Sequence, residues 1–338
     1  MFSGIFKNLG MDLGTANTII YAYDKGYIVN EPSVIAFKNG NSNGYKILSI
    51  GIEAKKMMGK TGREIKVIRP LADGVIADFA AGEALIKSFI KRANVPSFLL
   101  NRMIVGVPTG ITSVEKKAII DSALSAGARK VYLVYEPMAA AIGVGVDILG
   151  QHANMIVDIG GGTTDIAVIN YGGIVVDNTL RLASDEMNDA IIRYMKNTYY
   201  LDIGELTAEK IKIEHGIAYK DCDEKQFKVT GIDHRTGLPR ELNLSNCIFL
   251  DAFSGVINAI TNAIIGTLDK LPPELAGDIV DRGIVLTGGG SMLQGLDEYL
   301  RERLNLPVNV APNALFSVAE GTRKILESYD IYRSVLFQ

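Results

Sequence analysis

Apolar and polar positions follow two rhythms along this chain, one of period two and one of helical spacing, and their alternation lays out most of its elements. Residues 11–23 and 33–37 are dominated by apolar and β-branched side chains, with Asn30-Glu31-Pro32 between them, which predicts a strand and hairpin region. Over 79–92 the spacing of Phe79, Ala84, Leu85, Ile86, Phe89 and Ile90 predicts an amphipathic helix. A buried strand over 103–108, a helix over 113–126 with Glu115 in its first turn, and a strand over 130–134 follow. That βαβ succession favours a parallel sheet covered by helices. The theme restarts at Met155, with a strand over 155–159, a glycine-rich turn and a returning strand over 165–170. If Asp12 and Asp158 are equivalent, the halves are offset by 146 residues, about one domain length, and the chain is a duplication. Helices of the second half are predicted over 186–197, 207–215, 248–271 and 293–304, and Thr236-Gly237-Leu238-Pro239 marks a loop with a strand on either side.

Composition narrows the function classes. With 338 residues, 48% of them hydrophobic, the chain can bury about two domain cores. The formal charge of −3 is spread through the sequence, with no Lys and Arg block to follow a phosphate backbone, so nucleic acid is not an expected partner. Cys222, Cys247 and three scattered His residues give no metal-binding spacing, and a reduced cytoplasmic setting is expected. The N-terminus has neither a long apolar stretch nor a small-residue cleavage site, so secretion is not predicted. Residues 137–157 and 252–268 approach membrane-span length. Both carry polar side chains, among them Asn154, Asn258 and Asn262, and are read as buried core.

Three glycine turns carry the candidate chemistry. In Asp12-Leu13-Gly14-Thr15-Ala16-Asn17-Thr18, the turn can aim backbone N–H groups and hydroxyls at a phosphate, while Asp12 sits where hydrated Mg²⁺ could neutralise its oxygens. Alone it reads equally as an ordinary hairpin. Val157-Asp158-Ile159-Gly160-Gly161-Gly162-Thr163-Thr164-Asp165 repeats the plan, and three successive glycines suit positive φ or close approach of main chain to a ligand. Opposed across a cleft, the two hairpins could clamp a triphosphate from both sides, each adding one aspartate toward the metal. The third turn, Leu286-Thr287-Gly288-Gly289-Gly290-Ser291, is read as a strand entering a helix N-terminus, open to a flat base or an α-phosphate. Neither GxxxxGK[ST] nor a GxGxxG after a strand is present.

These turns resemble the actin, heat-shock chaperone and sugar kinase superfamily. Across nearly the whole chain, the two hairpins, Asn30-Glu31-Pro32-Ser33-Val34, Val107-Pro108-Thr109-Gly110-Ile111-Thr112, Glu136-Pro137-Met138-Ala139-Ala140-Ala141-Ile142-Gly143, Pro272-Pro273-Glu274-Leu275 and the third turn resemble the MreB/Mbl family's motifs in their order. The resemblance implies an α/β actin-like ATPase fold with a nucleotide cleft and four subdomains: IA (1–32, 67–143 and a return at 313–338), IB (33–66), IIA (144–181 and 246–312) and IIB (182–245). It also implies ATP or ADP with Mg²⁺ as cofactors, the metal held by Asp12 and Asp158 through water. Nucleotide contacts are expected from Gly14, Thr15, Ala16, Asn17, Gly160, Gly161, Gly162, Thr163, Thr164, Glu209, Lys212, Gly288, Gly289, Gly290 and Ser291. Glu136, with Thr163 and Asp158, would serve hydrolysis, Glu136 by orienting the attacking water. Without the family, Glu136 reads as a helix cap before Pro137, and Glu209 and Lys212 as an exposed helix face.

Implied further are slow ATP hydrolysis, a double homopolymeric filament on the inner face of the cytoplasmic membrane, a part in cell shape, and cell-shape or motility partner proteins. Phe98, Leu99 and Leu100 form an apolar triplet after Pro96 that is expected to touch lipid, and Met1, Phe2, Ile5, Phe6 and Leu9 could share one helical face. Two departures bear on hydrolysis: Asp165 stands where the family has Glu, and Ala183-Ser184-Asp185 where it has Gly-Gly-Asp. They keep open a structural subunit that scarcely hydrolyses nucleotide. A chaperone-like ATPase would need a peptide-binding domain, and no sugar-kinase motif is evident. The apolar tail from Tyr329 is expected to dock on subdomain IA.

Overall fold

A computed structural model describes residues 7–38, 46–92 and 99–338. Ten strands build two five-stranded sheets of one design. In the first half, β1 (Lys7–Leu13), β2 (Asn17–Ala22), β3 (Gly26–Pro32), β4 (Leu100–Val107) and β5 (Lys130–Tyr135) lie in the order β5-β4-β1-β2-β3. In the second, β6 (Asn154–Ile159), β7 (Thr164–Asn170), β8 (Gly173–Leu180), β9 (Ile284–Thr287) and β10 (Val308–Val310) lie in the order β10-β9-β6-β7-β8. Each sheet is an antiparallel meander extended past its first strand by two parallel strands. The duplication expected from the spacing of Asp12 and Asp158 is therefore a duplication of topology.

Helices cover these sheets: α1 (Phe79–Arg92), α2 (Ser113–Ser125), α3 (Glu136–Val144), α4 (Ser184–Tyr199), α5 (Glu205–His215), α6 (Ile248–Leu268), α7 (Pro273–Arg282), α8 (Leu296–Leu304) and α9 (Ser317–Glu327). Local chemistry sets their ends. Helix α2 opens on a capping box, in which the Thr112 hydroxyl accepts from the Glu115 N–H while the Glu115 carboxylate accepts from the Thr112 N–H at 2.8 Å. Helix α3 starts with Pro137 in its first turn and stops at Gly145, whose φ of 87° only glycine adopts cheaply. Two three-stranded sheets stand outside the main pair, one of Ile35–Lys38, Lys46–Ile50 and Ile65–Ile68, the other of Leu201–Asp202, Gln226–Asp233 and Pro239–Ser245.

Each half has its own apolar core, and a third cluster is shared. In it, Ile104 and Val134 of the first sheet and Ile156 and Ala167 of the second pack on Met138–Ile142 of α3 and on Val318 and Ile325 of α9. The two helices cross closely. A Cβ on Gly143 would lie 1.9 Å from the Ser317 carbonyl oxygen, and one on Gly321 1.8 Å from that of Ala139. Helix α6 is long and apolar enough to cross a membrane by length and composition, but Phe249, Phe253, Ile257 and Ile260 pack in the second core while Asp251, Ser254, Asn258 and Asn262 face solvent. The tail docks on the first sheet: Phe337 exchanges hydrogen bonds of 2.8 and 3.0 Å with Leu133, covering the free edge of β5.

Two membrane expectations need correction. Leu100 is the first residue of β4 and Leu9 lies within β1; both side chains are fully buried in the first core and cannot reach lipid. Leu99 is half-buried, whereas Phe98, Met1, Phe2, Ile5 and Phe6 lie outside the described residues.

Candidate functional site

The two hairpins close alike. Gly14 N–H donates to the Asn17 carbonyl at 3.1 Å, and Gly160 N–H, at the equivalent place, to the Thr163 carbonyl at 2.8 Å. Their tips face each other: a Cβ on Gly161 would stand 2.8 Å from the Ala16 Cβ, and one on Gly162 2.9 Å from the Thr15 hydroxyl. None of Gly160, Gly161 and Gly162 has positive φ, so close approach of two backbones, rather than an unusual turn, is what excludes side chains here. The Thr15 hydroxyl in turn accepts from Gly74 N–H at 2.8 Å, tying the loop before β-strand Val75–Ile76 to the first hairpin.

Between the tips opens a cavity of about 420 Å³. Gly14, Thr15, Ala16 and Asn17 line it from one side, Gly160, Gly161 and Thr163 from the other, and Gly288, Gly289 and Gly290 from the third turn. Asp12, Glu136 and Asp158 stand in its wall, as do Glu209 and Lys212 on α5. Three expected contacts are placed elsewhere. Thr164 is buried and donates to the Leu182 carbonyl at 2.8 Å; Ser291 is buried and donates to the Gly288 carbonyl at 2.7 Å; Gly162 is packed against Thr15 and Asp73. The third turn also differs from expectation, since Gly289–Met292 is a 3₁₀ turn and α8 begins only at Leu296. Gly288, at φ 80°, is instead needed because a Cβ would lie 2.3 Å from the Ile159 carbonyl oxygen at the base of the second hairpin.

Carboxylates dominate the electrostatics. Burial, then the charge of Asp158, pushes Asp12 up to about 8. Burial also pushes Asp158 up to about 7, against a 2.8 Å hydrogen bond from the Thr287 hydroxyl. Glu136 is raised well above the usual carboxylate range by burial and by Asp165, Asp12 and Asp158. Such a cluster lacks positive charge and is suited to take up a cation. Asp12 and Asp158 both line the cavity as oxygen donors, which is the donor chemistry a divalent ion such as Mg²⁺ takes, directly or through water. Asp165, paired with Asp158 across β6 and β7, accepts from the Thr109 N–H at 2.9 Å and the Thr179 hydroxyl at 2.7 Å. Ser184 and Asp185 border the cavity at the start of α4, and Asp185 N–H donates to the Gly161 carbonyl at 2.8 Å.

Several lining residues escaped the sequence reading, among them Gly74, Ile213, Gly216, Met292, Leu315 and Val318. Helical spacing held one signal, because Glu209, Lys212, Ile213 and Gly216 recur on one face of α5 and its end. Ile213 and Met292 leave 73% and 63% of their surface exposed at the mouth, an apolar face of the kind a flat ring covers.

The profile of the MreB/Mbl protein family matches residues 6–334. The chain belongs to the MreB/Mbl family. It is 44% identical to the cell shape-determining protein MreB of Escherichia coli (strain K12) over 340 residues, covering 99% of this chain and 98% of that protein. With the cell shape-determining protein Mbl of Bacillus subtilis (strain 168) it shares 45% identity over 325 residues, or 96% of this chain and 97% of that protein. Among solved structures, MreB 5 of Spiroplasma citri bound to AMPPNP superposes with a TM-score of 0.92 at 34% identity, covering 97% of this chain and 98% of that one. The same protein bound to ADP gives a TM-score of 0.91. The MamK double helical filament, at 22% identity and a TM-score of 0.80, shares the fold. This MreB/Mbl chain thus has the actin-like ATPase fold.

Proposed function

We propose that the chain binds ATP with Mg²⁺ between its two hairpins, hydrolyses it slowly, and polymerises into filaments that help to set cell shape. One observation carries the reading: two hairpins of identical closure, each bearing an aspartate, face one cavity whose mouth is apolar. The Spiroplasma citri relative bound to AMPPNP and to ADP supports it. Backbone N–H groups of both hairpins would hold the phosphates, and Ile213 and Met292 the base. Mg²⁺ held by Asp12 and Asp158 would neutralise charge on the phosphate oxygens. Glu136, in the cavity wall, would orient the attacking water and accept its proton. A second reading, a subunit that holds nucleotide with little turnover, is favoured by the Asp165 carboxylate being engaged by the Thr109 N–H and the Thr179 hydroxyl.

Phosphate release measured alongside sedimentation in ATP, ADP and AMPPNP separates the two. Glu136→Gln should keep nucleotide binding while slowing release roughly a hundredfold; an unchanged rate removes Glu136 from its role. Pelleting with negligible phosphate from the parent protein supports the second reading, and phosphate without polymer under any condition counts against filaments. A place at the inner face of the cytoplasmic membrane belongs to the same proposal and rests on the apolar connection into β4.

A further inference from the structure

Six charged side chains of alternating sign meet across the cleft, with Asp185 among them beside the second hairpin. Lys55 ends the short helix Ile52–Lys55, between strands Lys46–Ile50 and Ile65–Ile68 of the small sheet of the first half, and its ammonium lies 2.6 Å from the Glu209 carboxylate on α5 of the second. Arg69, between that small sheet and β-strand Leu71–Ala72, reaches Asp185 at 3.1 Å and Glu205 at 2.6 Å. Lys212, one turn beyond Glu209, donates to the Ser184 carbonyl at 2.7 Å. Glu209, Asp185 and Lys212 border the cavity, whereas Lys55, Arg69 and Glu205 do not. The cations from the first half therefore touch the second only through groups that face the ligand or flank those that do.

The arrangement is too withdrawn from water to be an ordinary surface pair. The Arg69 side chain keeps only 16% of its surface exposed, and its Nε is buried without a partner. Burial opposes its charge, yet Asp185 and Glu205 outweigh burial and hold its pKa above the ordinary value. Burial lowers Lys212 to about 8, against Asp185 and Glu209, so the three carboxylates share three cations, two of them from the opposite half. An open cleft would leave Asp185 and Glu209 without those partners.

Resting on the nucleotide reading above, we propose that Lys55 and Arg69 are positioning residues for the nucleotide, clamping Glu209 and Asp185 from the opposite half so that the ligand is retained only while the cleft is shut. Ligand and ion pairs then favour the same closed state, and each slows loss of the other.

Release of etheno-ADP, whose ribose is unmodified, chased with excess ADP tests this in the intact chain. Arg69→Ala should speed release about tenfold and Glu205→Gln about threefold, with the double variant no faster than Arg69→Ala alone. Arg69→Lys should fall between. Added salt should speed release from the parent protein and leave Arg69→Ala nearly unchanged. Equal rates in parent and variants, independent multiplying effects, or one salt dependence for all would overturn the clamp. If Arg69→Ala does not fold by circular dichroism, Glu205→Gln and the salt dependence of the parent decide it. Failure of the parent chain to bind etheno-ADP would instead overturn the nucleotide reading.

Discussion

At the scale of single residues, Asp12 and Asp158 have the plainest consequence. Both titrate above their usual range when no cation is near, at about 8 and about 7. A carboxyl whose folded pKa exceeds its unfolded value contributes stability that is complete below the unfolded value, near 4, and lost as pH rises through the folded one. Without nucleotide, the melting temperature should therefore fall between about pH 5 and pH 8. With Mg²⁺ and ADP the fall should largely vanish, because bound positive charge returns the pair to ionised form. Differential scanning fluorimetry across that range, with and without ligand, checks it. A flat or rising profile in the ligand-free protein would show that the pair carries no such strain. Asp12 and Asp158 were legible in the sequence because a strand, a carboxylate and a glycine turn recur at a fixed offset. Thr164 and Ser291 were misread, since nothing in a string of residues tells which of two neighbouring hydroxyls faces a cavity and which satisfies a carbonyl behind it.

Elements were legible where one face is apolar and the other wet. Helix α1 spans the predicted 79–92, and α2 departs from its prediction by one residue. Helix α3 carried no such signal, being buried on nearly every side, while α9, which meets it through Ala139, Gly143, Ser317 and Gly321, went unpredicted although Val318, Ile325 and Leu326 are buried and Glu320, Arg323, Lys324 and Glu327 are not. An element apolar all round leaves no amphipathic stripe to read, whereas the stripe on α9 was there to be found. That crossing makes a prediction of its own. Gly321→Ala should cost about 2 kcal/mol or more, since the added methyl meets the main chain of α3 and the helices must part. Gly255→Ala, on the exposed side of α6 with nothing within 4 Å, should instead stabilise by about 1 kcal/mol. Urea midpoints measure both, and equal shifts of one sign would contradict the packing argument.

For the whole molecule, the duplicated plan was visible in the sequence, but which of its apolar residues stay outside the core was not. Three neighbouring apolar residues read as one patch until β4 takes Leu100 into the core. Contact with lipid, in the proposed arrangement, falls to Phe98 and Leu99. Phe98→Ser with Leu99→Ser should reduce co-sedimentation with vesicles of anionic phospholipid, while Leu100→Ser should chiefly lower stability; undiminished binding by the first variant would discard the loop. The crossing of α3 and α9 has a mechanical meaning as well. Glu136 and Val318, at the starts of these helices, both border the cavity, so the crossing that joins the two halves adjoins the wall in which Glu136 stands. In the proposed function, a lever pivoted beside its load would convert small differences there, such as the loss of one phosphate, into wider excursions of the outer sheets, where a neighbouring subunit would feel them.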